Sequence, residues 1–164
     1  MIAFLLVFCS GLWLFFSHVK VKHKSTLIQA RKHYKIALKI NNPSRKVAYL
    51  KAFNTQPFVF EEMVLLALKS KGFVVKRNDR YTGDGGIDGM AYRGEFTYFI
   101  QCKCYGKKQT IKTSDVNALL NLCIGKNSRG LFIHTAKTPF TTLKANQCSK
   151  VTIISGQRLV DLFS

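Results

Sequence analysis

One predicted β-strand restricts the fold of this chain more than any other feature. Residues 96–104 read Phe-Thr-Tyr-Phe-Ile-Gln-Cys-Lys-Cys. Because side chains alternate between the two faces of a strand, the even-numbered residues share one face that is suited to a core, while Gln101 and Lys103 share the opposite face. A buried amide and a buried ammonium group are costly unless other polar groups meet them. The strand therefore predicts a sheet with a polar site beside Gln101 and Lys103.

Asp88 is the polar residue that strand pairing brings to this site. Residues 87–92 form a second predicted strand, and Arg93-Gly94 reads as the turn that joins the two strands. A two-residue turn pairs Asp88 with Phe99 and makes it a diagonal neighbour of Gln101, with the two Cα atoms ~7–8 Å apart. A four-residue turn would place Asp88 directly opposite Gln101, whereas a turn of odd length would break the alignment.

An acid, an amide oxygen and an amine in one place are suited to the hydrolysis of a phosphodiester bond. Asp88 and the side-chain carbonyl of Gln101 are hard oxygen ligands of the kind that Mg²⁺ prefers. A bound metal can activate water, and Lys103 can orient that water or stabilise the transition state. Glu61 is expected to point inward from a helix and to add negative charge, although acids at this position can also simply favour a helix N-terminus.

From Thr55 onward the sequence predicts a compact α/β domain, because helical and strand patterns follow one another in short segments. Helices are predicted at 58–71, 114–124, 139–148 and 156–163, and strands at 73–76, 87–92, 95–105, 131–135 and 151–154.

The first residues of the chain predict a membrane anchor. Residues 2–19 contain no Asp, Glu, Lys or Arg, and 18 residues of helix span ~27 Å, close to a ~30 Å hydrocarbon core. A signal peptide carries its basic residues before the apolar run, but here Lys20, Lys22 and Lys24 follow it. We therefore expect a retained single-pass anchor at 1–19, with the rest of the chain on the cytoplasmic side of the membrane.

Positive charge points to a polyanionic partner. The chain has 26 Lys and Arg against 8 Asp and Glu, for a net charge of +18, and no acid precedes Glu61. Such a balance favours nucleic acid or an acidic membrane surface as a partner. Residues 20–54 are predicted to form a basic helical connector, which either lies against anionic lipid headgroups or is a solvated spacer.

Four segments in order resemble the catalytic domain of Mrr-type restriction endonucleases, within the PD-(D/E)XK nuclease superfamily. They are Phe60-Glu61, Gly72-Phe73, the glycine-rich run at 83–89 that contains Asp88, and Gln101-Cys102-Lys103. The resemblance covers about residues 57–164 and implies a mixed central β-sheet flanked by helices, dependence on Mg²⁺ and cleavage of DNA. It matches Asp88 to the family's metal-binding Asp, Gln101 and Lys103 to its (Gln/Glu)-x-Lys pair, and Glu61 to its helix-borne acid.

Together these patterns predict a membrane-tethered, divalent-metal-dependent endonuclease that hydrolyses double-stranded DNA. Its expected parts are an anchor at 1–19, a connector at 20–54 and a restriction-endonuclease-like domain at 55–164. The alternative is a membrane-anchored DNA-binding module that keeps the nuclease fold but does not cut.

The resemblance also completes the expected site. Glu61, Asp88 and Gln101 would bind Mg²⁺, with Mn²⁺ as a substitute, and Lys103 would act beside them. No small-molecule cofactor is expected, and a homodimer is left open. Flanking basic residues are expected to hold DNA phosphates without reading sequence; these are Arg80, Lys107, Lys108 and Lys112.

Overall fold

The computed structural model describes residues 24–78, 86–106, 109–145 and 150–164. Five strands form one sheet whose spatial order follows the chain: β1 (Val74–Arg77), β2 (Gly89–Arg93), β3 (Phe96–Lys103), β4 (Arg129–His134) and β5 (Val151–Ile154). The pairs β1–β2 and β2–β3 are antiparallel, and the pairs β3–β4 and β4–β5 are parallel. The mixed sheet that the sequence predicts is confirmed.

Helices precede the sheet and connect its parallel strands. The first four helical segments are α1 (24–39), α2 (Pro43–Lys51), a 3₁₀ helix (Ala52–Thr55) and α3 (Pro57–Ser70). Helix α4 (Thr113–Gly125) joins β3 to β4, α5 (Phe140–Ala145) leads from β4 towards β5, and α6 (Gly156–Leu162) follows β5. Residues 146–148 of the helix predicted at 139–148 lie outside the described residues.

Local sequence explains where the early helices begin and end. At the start of α2, Pro43 occupies the first position and the Arg45 N–H donates to Asn42 Oδ1 at 2.9 Å, so one of the free amides of the first turn is satisfied. Helix α3 ends before Gly72, whose φ of +86° is left-handed. Glycine adopts this conformation without a steric penalty, and it directs the chain into β1.

The β2–β3 turn differs from the predicted one. The ladder pairs Arg93 with Phe96, so the turn residues are Gly94 and Glu95 instead of Arg93-Gly94. Gly94 has a φ of +58°, which suits a tight hairpin turn. The turn keeps an even length but the register moves by two, so that Met90, and not Asp88, pairs with Phe99.

The sheet is covered on both faces, as expected for a sheet flanked by helices, although the sequence pattern assigns a core face of β3 to its even-numbered residues alone. On the first face, Ile100 and Cys102 pack in a core with α3, to which α1, α2 and α6 also contribute. On the second face, Phe99 packs against a core formed by Phe132 and its neighbours on β5 and α4. The Gln101 side chain is therefore buried, with 8% of the residue exposed.

Helices α1 and α2 are part of the first core. Ala30, Ala37 and Leu50 are fully buried in the same cluster as Phe163 near the end of the chain. The buried Lys46 amino group donates to the Phe163 carbonyl oxygen at 2.6 Å. The division at residue 55 stays a sequence-based prediction, but the described residues on its two sides share one core.

No helix within the described part of the chain combines the length and the apolar character that crossing a bilayer requires. The anchor predicted at 1–19 lies outside the described residues.

Candidate active site

Asp88 lies at the open end of the β2–β3 hairpin, one residue before β2 begins. Its backbone N–H donates to the Ile100 carbonyl oxygen at 2.8 Å, and its Oδ2 accepts the Cys102 N–H at 2.6 Å. Cys102 stands between Gln101 and Lys103 in the chain. The carboxylate is therefore fixed to the main chain of the same strand segment that carries the two other predicted site residues.

Gln101 brings an unsatisfied oxygen to this position. Its Oε1 is buried and finds no hydrogen-bond partner among the described residues. Leaving a buried acceptor without a partner costs about 1–3 kcal/mol, and an amide can usually avoid that cost by turning towards a donor. A buried oxygen of this kind is what a bound cation or a substrate would satisfy.

The backbone of Gly86 packs closely against the side-chain amide of Gln101. A Cβ atom placed on Gly86 would lie 3.0 Å from Gln101 Nε2, and Gly86 has a φ of +83°. Both observations require glycine here, because a side chain would push the amide away and would strain the backbone. Gly86, within the glycine-rich run at 83–89, therefore lies against the Gln101 amide. Residues 79–85, which include Arg80 and the first part of that run, lie outside the described residues.

Burial raises the pKa values of both acids, and like charge adds to the rise for Glu61. Burial, then the nearby charges of Asp88 and Glu62, raise the pKa of Glu61 to about 8, and Lys103 opposes this rise. Burial raises the pKa of Asp88 to about 6, against the Cys102 hydrogen bond and the Lys103 charge. The mutual influence places Glu61, Asp88 and Lys103 within electrostatic reach of one another. A positive charge bound nearby would lower the pKa values of both acids and would favour their ionised forms.

The donor set fits a hard divalent cation. Asp88 Oδ2 is engaged by the Cys102 amide, which leaves Oδ1 for a metal, and Gln101 adds its partnerless Oε1. Glu61 supplies a second carboxylate within electrostatic reach. Oxygen donors of this type are typical ligands of Mg²⁺ and Mn²⁺. No group of three or more His, Cys, Asp and Glu residues is placed to hold a metal in the described ranges, so a metal here would be held with the Gln101 amide oxygen beside the carboxylates.

Glu62 has a different role from its neighbour, and sequence reasoning missed it. Only 2% of Glu62 is exposed, and Arg77 Nε at the end of β1 donates to Glu62 Oε2 at 2.7 Å. Glu62 therefore links α3 to β1. Glu61, the residue before it, is instead close enough to Asp88 for that charge to raise its pKa. The feature of the sequence that could have indicated this pair is Arg77, a basic residue at the end of the short strand β1.

The predicted DNA contacts are only partly described. Lys112 is exposed immediately before α4. Arg80, Lys107 and Lys108 lie outside the described residues, so their contact with DNA stays a prediction. Lys103 itself is half-buried at the end of β3, where it pairs in register with His134 of β4.

His134 is a further buried polar residue beside the site that the sequence did not single out as functional. It is fully buried, and burial lowers its pKa to about 4. Its Nε2 and the Thr138 hydroxyl are 3.0 Å apart, and the same hydroxyl lies 3.0 Å from Ser155 Oγ. His134 is thus neutral near pH 7 and holds the segment that follows β4.

Comparison with known proteins adds a family and a fold. Residues 52–163 match the family model Mrr_cat, described as restriction endonuclease. The chain is also similar to the solved structure of the MspJI restriction endonuclease in complex with a 27-mer oligonucleotide, with a TM-score of 0.57 and 18% identity. Restriction endonuclease FokI gives a TM-score of 0.52 with 14% identity, and FokI bound to DNA gives 0.50 with 13% identity.

These structural similarities cover most of this chain but a small part of the larger enzymes. They extend over 73% of the chain for MspJI and 71% for each FokI structure, but over only 30%, 26% and 25% of those chains. At these identities the similarity shows a shared fold, which is a mixed sheet flanked by helices. No curated protein matched the chain.

Proposed function

Since the chain belongs to the Mrr_cat restriction endonuclease family, we propose that it is a divalent-metal-dependent endonuclease that hydrolyses phosphodiester bonds in double-stranded DNA. One observation carries the proposal. The Asp88 carboxylate is held by the amide of Cys102, the residue that follows Gln101, and it is within electrostatic reach of Glu61 and Lys103. The buried side-chain oxygen of Gln101 has no partner among the described residues.

Each group has a distinct role in this proposal. Asp88 and Gln101 would bind the metal, and Glu61 would add charge as it loses its proton. When bound, the metal supplies an activated water and offsets charge that develops on the phosphate. Lys103 contributes a positive charge that is worth most where negative charge grows in the transition state.

The raised pKa values agree with a site that is built to receive positive charge. Without a cation, burial and like charge raise the pKa of Glu61 to about 8, while burial raises that of Asp88 to about 6. Near pH 7 Glu61 therefore keeps its proton, and a dication bound beside it would favour the ionised carboxylate and release that proton. The proposed metal is Mg²⁺, with Mn²⁺ as a substitute, because all three donors are oxygens.

Cleavage of supercoiled plasmid by the purified full chain tests the proposal. We expect nicked or linear product with Mg²⁺ or Mn²⁺ and none with chelator, and we expect Asp88→Ala and Lys103→Ala each to lower the rate by at least about 10²–10³-fold. Glu95→Ala and Lys126→Ala are matched controls, because these residues are exposed at the far end of the sheet, and they should leave the rate unchanged.

Two outcomes would contradict the proposed function. Cleavage that survives Asp88→Ala would show that the chemistry lies elsewhere. Firm DNA binding without cleavage, by the unaltered chain, in both metals and on both methylated and unmethylated plasmid, would instead support the alternative of a DNA-binding module on a nuclease fold.

We also propose that residues 1–19 tether this nuclease to a membrane as a single-pass anchor, with the nuclease domain on the cytoplasmic side. The proposal is supported by the absence of charged residues from 2–19 and by the lysines that follow. Retention of the full chain in the membrane fraction after alkaline carbonate washing would support it, and release into the wash would contradict it.

A further inference from the structure

Phe140 is a large apolar side chain that is exposed to solvent at the same end of the sheet as the candidate active site. It is 77% exposed, the highest value among the large hydrophobic residues of the described chain. It begins α5, six residues after His134, which pairs with Lys103. The Thr135 N–H donates to the Lys103 carbonyl oxygen at 3.2 Å, so the segment that leads to Phe140 starts at the catalytic end of β3.

Hydroxyl contacts fix the chain on both sides of Phe140. Two residues before it, the Thr138 hydroxyl lies 3.0 Å from His134 Nε2 and 3.0 Å from Ser155 Oγ. Two residues after it, the buried Thr142 hydroxyl lies 2.8 Å from that of Thr113 at the start of α4. These contacts tie the residues on both sides of Phe140 to β4, β5 and α4.

The surroundings of Phe140 are basic. Lys137 and Lys112 are exposed, and Lys137 is linked to the segment before α4, because its N–H donates to the Gln109 carbonyl oxygen at 3.4 Å. The acid in the first turn of α4, Asp115, lies near Tyr105, since its charge adds to the effect of burial in raising the pKa of that phenol. Lys137 lies three residues before Phe140, and Thr113, which follows Lys112, contacts Thr142. An exposed ring with lysines on its own segment and on the neighbouring one matches a polyanion with flat apolar groups, which describes a nucleic acid strand.

We propose that Phe140 stacks on or inserts between bases of bound DNA next to the scissile bond, while Lys112 and Lys137 hold the flanking phosphates. This inference rests on the proposed function for the identity of the ligand. Phosphate contacts alone would position DNA without unstacking it, whereas an aromatic wedge opens a base step and can make a strand accessible for cleavage.

Base fluorescence tests the inference directly. A set of 20-bp duplexes carries 2-aminopurine at successive positions, and they are bound by the full chain in an Asp88→Ala background so that the DNA stays intact. We expect a fluorescence change at one or two adjacent positions. Phe140→Ala should abolish the change and weaken DNA binding about tenfold, Phe140→Leu should not restore it, and Phe140→Trp should.

Controls separate stacking from general effects. Ile124→Ala removes another exposed apolar side chain, 59% exposed at the opposite end of α4, and should change nothing. Lys112→Ala and Lys137→Ala should each lower the salt dependence of binding by about one unit of slope while the fluorescence change persists. The melting temperature of each variant shows whether it is folded.

The outcomes distinguish this inference from the proposed function. A folded Phe140→Ala variant with unchanged affinity and fluorescence would overturn the inference even if the unaltered chain cuts DNA. Unchanged DNA binding combined with loss of self-association would assign Phe140 to an interface between two copies and would also overturn it. A fluorescence change that depends on Phe140 in a chain that never cuts DNA would support the inference while the proposed function fails.

Discussion

The two ends of strand β3 treat polar groups in opposite ways. At the Phe96 end, Arg129 lies over the Phe96 ring at 3.5 Å, and the Lys150 amino group donates to Asn127 Oδ1 at 3.0 Å. At the Lys103 end, Gln101 Oε1 and His134 Nδ1 are buried without a partner among the described residues.

The difference shows at which end of β3 the protein keeps polar groups in energetically unfavourable surroundings. At the Phe96 end, Arg129 and Lys150 already have contacts, and no buried polar side-chain atom of the described residues there lacks a hydrogen bond. This end therefore contributes modestly to stability. The Lys103 end holds two acids with raised pKa values and two unsatisfied atoms. Such costs are characteristic of sites prepared for a ligand.

The largest expected effect comes from removing the helices that support the Lys103 end. Cys104 Sγ donates to the Leu50 carbonyl oxygen at 3.3 Å, and Gly106 packs closely on the Asn54 side chain. A fragment that begins at residue 55 loses these contacts and the burial of Leu50 and Phe53, which are worth about 1.5–3 kcal/mol each. Such a loss is comparable with the whole stability of a small domain, so we expect no cooperative thermal unfolding and no DNA cleavage.

A fragment that begins at Lys24 is the matched control, because it keeps α1 and α2. It should unfold cooperatively in calorimetry. A cooperative transition in the shorter fragment, with cleavage retained, would show that the predicted boundary at residue 55 is also the boundary of the folded unit and that the Lys103 end needs no support from α2.

The next largest effect concerns the Glu62–Arg77 pair. Arg77→Ala removes the guanidinium that contacts Glu62, which is 2% exposed, and removing one partner of a buried ion pair is destabilising. We expect a loss of about 2–3 kcal/mol in the free energy of unfolding by urea, since the Arg77 side chain is 30% exposed and part of its charge is solvated in any case.

The comparison at the opposite end of β3 is Arg129→Ala. That substitution removes a solvent-accessible cation–π contact, for which about 0.5–1 kcal/mol is expected. Equal losses for the two arginine variants would show that the Glu62–Arg77 pair adds no more than a surface contact does.

A smaller effect is expected from pH. The pKa of Glu61 is raised from 4.5 to about 8, so the folded protein holds this proton more tightly than the unfolded chain does. By linkage, the stabilising contribution is complete below about pH 4.5 and is lost as pH rises through 8. Asp88 acts in the same direction with a pKa of about 6, whereas the lowered pKa of His134 costs stability only as pH falls below 6.5.

Measurement between pH 6.5 and 8.5 therefore isolates the acids. With chelator present, the melting temperature should fall as pH rises, and Glu61→Gln should reduce this slope. Added Mg²⁺ should raise the melting temperature more at pH 8 than at pH 6.5. A slope that is the same in Glu61→Gln as in the unaltered chain would show that Glu61 is not the group that titrates.

Local patterns predicted the strands and helices well. Alternation along 96–104 and the glycine at the hairpin turn are properties of adjacent residues, and they brought Asp88 to the right end of β3. The exact turn was missed because Gly94 suits either position of a two-residue turn. The catalytic and metal-binding roles of Glu61, Asp88, Gln101 and Lys103 stay predictions.

Other features depend on contacts that no local pattern contains. Residues 63–68 are apolar all round, so the helical period could not show that Glu62 is the more buried acid. Its partner Arg77 is set by how α3 lies on β1. The second core was missed because Phe99 reads as part of a polar face until α4 covers it, and His134 shows its role only through Thr138 and Ser155.

The hydrogen bond from the Cys102 amide to Asp88 has a consequence for variation at that position. A backbone N–H is supplied by every residue except proline, so the acid keeps its anchor whatever side chain stands at 102. That side chain faces the first core, where volume and apolarity alone select it. The residue between Gln101 and Lys103 can therefore change with its packing neighbours, while the two residues on either side of it cannot be exchanged with each other.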